Sequence, residues 1–84
     1  MPTISHFYGI TIVMYLSGKE HNPPHIHAIT QDDVAVFQIA TGKIMQGKFP
    51  AKAAQLVEEF IVANREELNR MWETGEYKKL PPLE

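Results

Sequence analysis

The sequence predicts an α+β fold of two layers, in which a small antiparallel β-sheet, a meander, packs one face against a long C-terminal α-helix. Two patterns predict this fold. In the first half of the chain, side chains alternate with the two-residue period of a β-strand. In the second half, from residue 50 to residue 73, apolar side chains recur at steps of three and four, which is the spacing of one helix face.

Five stretches of the first half are predicted to be strands, and one of them, 34–39, is rich in the β-branched and aromatic residues typical of strands. The five stretches are residues 3–8, 10–16, 25–30, 34–39 and 43–46. Gly9 predicts a bend or bulge between the first two stretches. The Gln31-Asp32-Asp33 segment and the Thr41-Gly42 pair predict turns, since Asp side chains and glycine both favour reversal of the chain.

The helical stripe predicts which side chains face the sheet. Its members are Ala53, Val57, Phe60, Asn64, Leu68 and Met71, widened by Ala54, Ile61 and Trp72. Pro50 suits the first turn of a helix and Gly75 suits its end. Asn64 followed by Glu67 imitates a capping box, so residues 50–73 could form one helix or two nearly collinear helices. Residues 1–76 are therefore expected to form a single domain, followed by a proline-containing tail, 77–84, that lies along the body or hangs free.

Length and composition argue against several classes of protein. A chain of 84 residues has room for one core. It contains no cysteine, which excludes disulfides and thiolate metal sites. The net charge of −2 provides no overall attraction to nucleic acid. With no signal peptide or membrane-spanning run visible, we expect a cytoplasmic protein.

Two of the predicted strands, 10–16 and 34–39, are apolar on both faces. A single helix covers only one face of a sheet, so the other face predicts an interface. We therefore expect a homodimer or a heteromer with another small protein. The alternative is that the N-terminal segment and the tail cover this face.

The densest chemistry lies in the segment EHNPPHIH, residues 20–27. The Pro23-Pro24 pair restricts the backbone to extended or turn conformations. His25 and His27 are two positions apart on a predicted strand, so they share a face with Cα atoms about 6.6 Å apart. Their imidazoles are therefore expected to lie side by side.

A metal site is one interpretation of this segment. His25 and His27 would be two ligands, and His21 or Glu20 would be a third. Imidazole suits zinc and other divalent transition metals, with a water or a ligand from a partner completing the site. The composition indicates no other cofactor.

A catalytic site is a second interpretation. His25 and His27, with His21 nearby, could act as general acid and base and cleave RNA without a metal. The candidate substrate-binding residues are Asn22, Lys43 and Lys48. In the third interpretation the histidines are architectural, and their rings bond the backbone around the rigid proline corner. The sequence leaves all three open.

The chain resembles the bacterial family called domain of unknown function 4160. The residues that carry the resemblance are MPTI at the start, Phe7, Gly9, Met14, HNPPH at 21–25, His27, Gly47, Pro50, Leu56-Val57, REEL at 65–68 and Trp72. The resemblance implies a small cytoplasmic protein, commonly encoded beside a second small domain, number 2442. That arrangement resembles a toxin–antitoxin operon, in which this chain would be the toxin or its partner.

Overall fold

A computed structural model describes residues 3–15, 23–76 and 78–83 of the chain. The elements, in order, are β1 (Thr3–Phe7), β2 (Ile10–Val13), β3 (His25–Ile29), β4 (Val34–Gln38), β5 (Ile44–Gly47) and α1 (Ala51–Thr74). The strands form one antiparallel sheet in chain order, and α1 forms the second layer. The predicted two-layer α+β fold is confirmed. Among the described residues, no helix is both long and apolar enough to cross a membrane.

The first hairpin has a two-residue loop, one residue longer than the single Gly9 that separates the predicted stretches. Phe7 pairs with Ile10, so only Tyr8 and Gly9 form the loop. Both have positive φ, 50° and 76°, which is the conformation of a type I′ turn. Gly9 is therefore the second residue of a two-residue turn rather than a bulge.

The core lies between the sheet and one face of α1. Alternate residues of the central strands point into it, and the buried residues of the helix are those of the predicted stripe. From the helix these are Val57, Phe60, Ile61, Leu68 and Met71. The Phe60 ring packs on Phe7 with centroids 5.0 Å apart. The amphipathic phase predicted for the helix is therefore confirmed.

Residues 51–74 form one helix with a local distortion. Asn64 has non-helical dihedral angles, φ −123° and ψ 20°, and its Nδ2 donates to the Phe60 carbonyl at 3.0 Å. The helix is kinked at Asn64, and Leu68 beyond the kink remains buried in the same core, so both halves of the helix pack on the sheet. Gly75 ends the helix with φ 75°, and its N–H donates to the Met71 carbonyl.

The two edges of the sheet differ. Along β1, the tail residue Leu80 donates its N–H to the Ile4 carbonyl at 2.9 Å and buries its side chain in the core. Leu83 also packs against this core. Along β5, all four residues are exposed. The tail therefore covers one edge of the sheet and leaves the other edge open.

The sheet face opposite α1, here called the outer face, is only partly apolar. Val13 is fully buried on it, whereas Val36 and Ile29 are half-buried and Val34 is 55% exposed. The alternative in which the tail covers this face is wrong for residues 78–83, because Leu80 and Leu83 pack on the helix side.

Candidate functional site

His25 and His27 lie at the start of β3, the middle strand of the sheet. His27 pairs with Val13 on one side and with Val36 on the other, and His25 pairs with Gln38. The two imidazole centroids are 5.4 Å apart. The strand period thus brings the two rings together at the end of the sheet where β3 begins.

The proline corner before β3 is held by backbone carbonyls. The Pro23 carbonyl lies 2.9 Å from His25 Nδ1, and the Pro24 carbonyl accepts the Ile39 N–H at 3.1 Å. Arg65 of α1 donates from Nε to the Ile39 carbonyl at 3.0 Å. The corner is therefore tied to the end of β4, which is tied in turn to the helix.

The contact with Pro23 determines the tautomer of His25. A carbonyl oxygen can only accept a hydrogen bond, so Nδ1 must carry the hydrogen. In the neutral ring the lone pair is then on Nε2. Any acid–base or ligand role of His25 would therefore use Nε2.

Two aromatic side chains flank the histidines. The Trp72 ring centroid is 4.9 Å from that of His25, and the Tyr15 centroid is 4.6 Å from that of His27. Trp72 belongs to the last turn of α1, one heptad after Arg65, so both residues lie on the side of the helix that meets this end of the sheet. His25 is only 9% exposed in this setting.

Sequence reasoning placed Trp72 in the helix core stripe and gave Arg65 and Tyr15 no role beside the histidines. The proximity of these three residues to the histidines depends on how α1 crosses the sheet and on where β2 ends. Neither can be predicted from a local sequence pattern. The one available signal was the resemblance, because Arg65 and Trp72 are among the residues that carry it.

Residues 9–73 match the family model whose description is Domain of unknown function (DUF4160). The chain belongs to the DUF4160 family. The matched region runs from the first hairpin almost to the end of α1, so it contains the proline corner, both histidines and Trp72. No curated protein and no solved structure was found to match the chain. The DUF4160 description names no activity.

The described part of this DUF4160 protein contains no group of three metal-binding side chains. His25 and His27 supply two imidazoles, whereas a zinc site uses at least three protein ligands. Glu20 and His21, the other predicted ligands, and Asn22, a predicted substrate contact, lie outside the described residues. The described residues thus provide two ligands of a metal site and no third.

The lysines predicted to contact RNA are not brought to the histidines. Lys43 lies two strands away from His25, about 10 Å at the usual strand spacing. Its Nζ pairs with Glu58 Oε2 of α1 at 2.9 Å. Lys48 follows the opposite end of β5. The two lysines therefore flank β5 of this DUF4160 protein instead of lining the histidine pair.

Proposed function

We propose that this DUF4160 protein is one component of a cytoplasmic, two-protein, toxin–antitoxin-like module, and that it acts by binding a small protein encoded beside its gene. The observation that supports this proposal is the difference between the two edges of the sheet. The β1 edge is bonded to the tail at Leu80, whereas β5 is exposed along its length.

An open sheet edge favours protein contact for a physical reason. Every second residue of an edge strand directs its backbone N–H and C=O groups outward, where a strand of another protein can pair with them. Binding by strand addition obtains its affinity from these backbone bonds. A heteromer formed in this way also agrees with the partner predicted from the sequence.

Co-expression tests the proposal. The protein is produced alone and together with the protein encoded beside it, and each sample is run on a calibrated sizing column. We expect a stable complex of the two chains. Growth of cells that express either chain alone then identifies the toxin. Separate elution of the two chains, with no growth defect from either, would reject the module.

Acid–base cleavage of RNA by His25 and His27 is a second proposal. The supporting observation is that the two imidazoles lie 5.4 Å apart, with Nδ1 of His25 held by Pro23, so that a proton taken by His25 would go to Nε2. The ring of His27, 5.4 Å away, could then protonate the leaving oxygen. Lys43 lies about 10 Å from His25, so substrate charge would have to be met by other groups.

Incubation of the purified protein with single-stranded RNA in excess chelator tests this chemistry. We expect cleavage to leave 2′,3′-cyclic phosphate ends, and to be lost in His25→Asn and His27→Ala. Intact RNA with the wild-type protein would favour the other two roles of the motif, a structural corner in an interaction domain or part of a metal-binding protein. The control is His6→Ala, which changes an exposed histidine of β1.

A further inference from the structure

A groove runs between β5 and the first turns of α1, and we call it the edge groove. Its apolar lining is Phe37, Ile44, Ala51 and Ala54, and its polar rim includes Lys43 and Glu58. Its volume is about 320 Å³. That space is large enough for one or two apolar side chains of a further strand.

The apolar side chains at this edge are only partly covered. Ile44 is 38% exposed and Met45 is 43% exposed. The chain has a tail that buries Leu80 beside β1, but no described residue covers β5 in the same way. The open backbone edge and the apolar groove are therefore adjacent features of one surface.

A second copy of this chain is a poor occupant. Two-fold pairing centred on β5 is antiparallel, so Lys43 of one copy would face Lys48 of the other. Like charges directly opposite each other destabilise a strand pair.

The charges favour an acidic occupant. Lys43 and Lys48 lie at the two ends of β5, about 17 Å apart along an extended strand. Within the described part of the chain, Lys48 makes no salt bridge, and Lys43 is 69% exposed although it pairs with Glu58. Carboxylates spaced to meet these two lysines would bind with favourable electrostatics.

We infer that β5 and the edge groove bind an extended segment of a different protein, which adds a strand to the sheet, inserts an apolar side chain between Ile44 and Ala54, and carries acidic residues toward Lys43 and Lys48. The inference rests on the proposed function and names the surface and the chemistry of the partner. Backbone pairing contributes affinity, whereas the groove and the lysines contribute specificity.

Selection from a displayed library of random twelve-residue peptides tests the inference without the natural partner. We expect the enriched peptides to contain alternating apolar residues with Asp or Glu at both ends. An enriched peptide is then synthesised and its affinity for the protein is measured. The Ile44→Glu variant of the protein should bind this peptide about tenfold more weakly or worse, since a charge then lies in the groove. Lys48→Glu should weaken it roughly threefold, as expected for an exposed ion pair.

Two further variants serve as a second test of the groove and as a control. Ile44→Thr keeps the strand propensity of β5 and should also weaken binding, which tests the groove if Ile44→Glu fails to fold. Val62→Glu is the matched control, because Val62 is 56% exposed on α1 and lies outside the edge groove. It should bind the peptide like the wild type.

Enrichment of basic peptides, binding unchanged by both Ile44 variants, or no enrichment would overturn the inference. The neighbour-encoded protein separates this failure from that of the proposed function. If it binds Ile44→Glu and Ile44→Thr as tightly as the wild type, the module stands and the edge groove is the wrong surface. If it does not bind the wild type, the module fails while peptide selection still decides the surface.

Discussion

The Trp72 indole lies against the His25 imidazole with ring centroids 4.9 Å apart, so the last turn of α1 positions the start of β3. Trp72→Ala should therefore disturb the proline corner as well as the core. We expect a loss of about 2 kcal/mol in unfolding free energy, below the usual loss for a fully buried aromatic because Trp72 is half-buried. Chemical denaturation measures the loss, and a shift of the His25 ring resonances reports the local change. Trp72→Phe should keep most of the unfolding free energy and leave the His25 ring resonances close to those of the wild type.

Substitutions of His25 distinguish an architectural role of this residue from a catalytic or metal-binding role. His25→Ala leaves the Pro23 carbonyl without its ring donor, which should destabilise the fold by roughly 1–3 kcal/mol. Asn places an amide N–H near the position of Nδ1 and has no counterpart of Nε2. If the residue is architectural, His25→Asn should recover most of the stability and the biological effect. Full stability with no biological effect would assign the role to Nε2.

Added zinc tests the metal interpretation. The described residues supply only two imidazole ligands, so we expect zinc to raise the melting temperature by no more than about 1 °C, since the stabilisation by a ligand depends on the logarithm of its concentration relative to Kd and two ligands bind weakly. Thermal unfolding with excess zinc, and again with chelator, measures this. An increase of several degrees that chelator removes and that His21→Ala abolishes would mean that residues 20–22 complete a site.

Gly47 meets the backbone of β4 so closely that a side chain would not fit. A Cβ atom there would lie 2.6 Å from the Val34 carbonyl oxygen, and φ is 89°. Gly47→Ala should therefore destabilise by about 2–4 kcal/mol, from the strained φ and the overpacking together. Gly75→Ala is the control, since its φ is 75° in open space, and it should lose only about 1–2 kcal/mol. If Gly47→Ala and Gly75→Ala lowered the unfolding free energy equally, the close contact with the Val34 carbonyl would not explain the effect at Gly47.

Phe60 has no exposed surface and packs on Phe7 across the two layers. Phe60→Ala should lower the unfolding free energy by about 3–5 kcal/mol, as for other buried aromatic residues. The exposed neighbour Val62 serves as the comparison, and Val62→Ala should change stability by less than about 0.5 kcal/mol. Urea titration of both variants measures the difference. A loss below about 1 kcal/mol for Phe60→Ala would contradict the packing of α1 on the sheet.

The strands and the helix could be predicted because their signals are local. Alternation in β2, the β-branched and aromatic composition of β4, the stripe through Phe60 and Leu68, and Gly75 at the helix end are all local signals. The capping pattern at Asn64 predicted a break as an alternative. That pattern is local too, and α1 is kinked at Asn64, while burial of Leu68 keeps the part of the helix after the kink on the same core.

The sequence by itself determined the two-layer fold, the phase of the helix and the shared face of His25 and His27, because strand and helix periods are properties of the local backbone. Only the tertiary structure decided which side chains meet those histidines. Trp72 reaches His25 across 47 positions of the chain, and the tail reaches β1 while leaving β5 open. These outcomes depend on how the helix crosses the sheet and where the tail finds apolar surface, which are set by packing of the whole core.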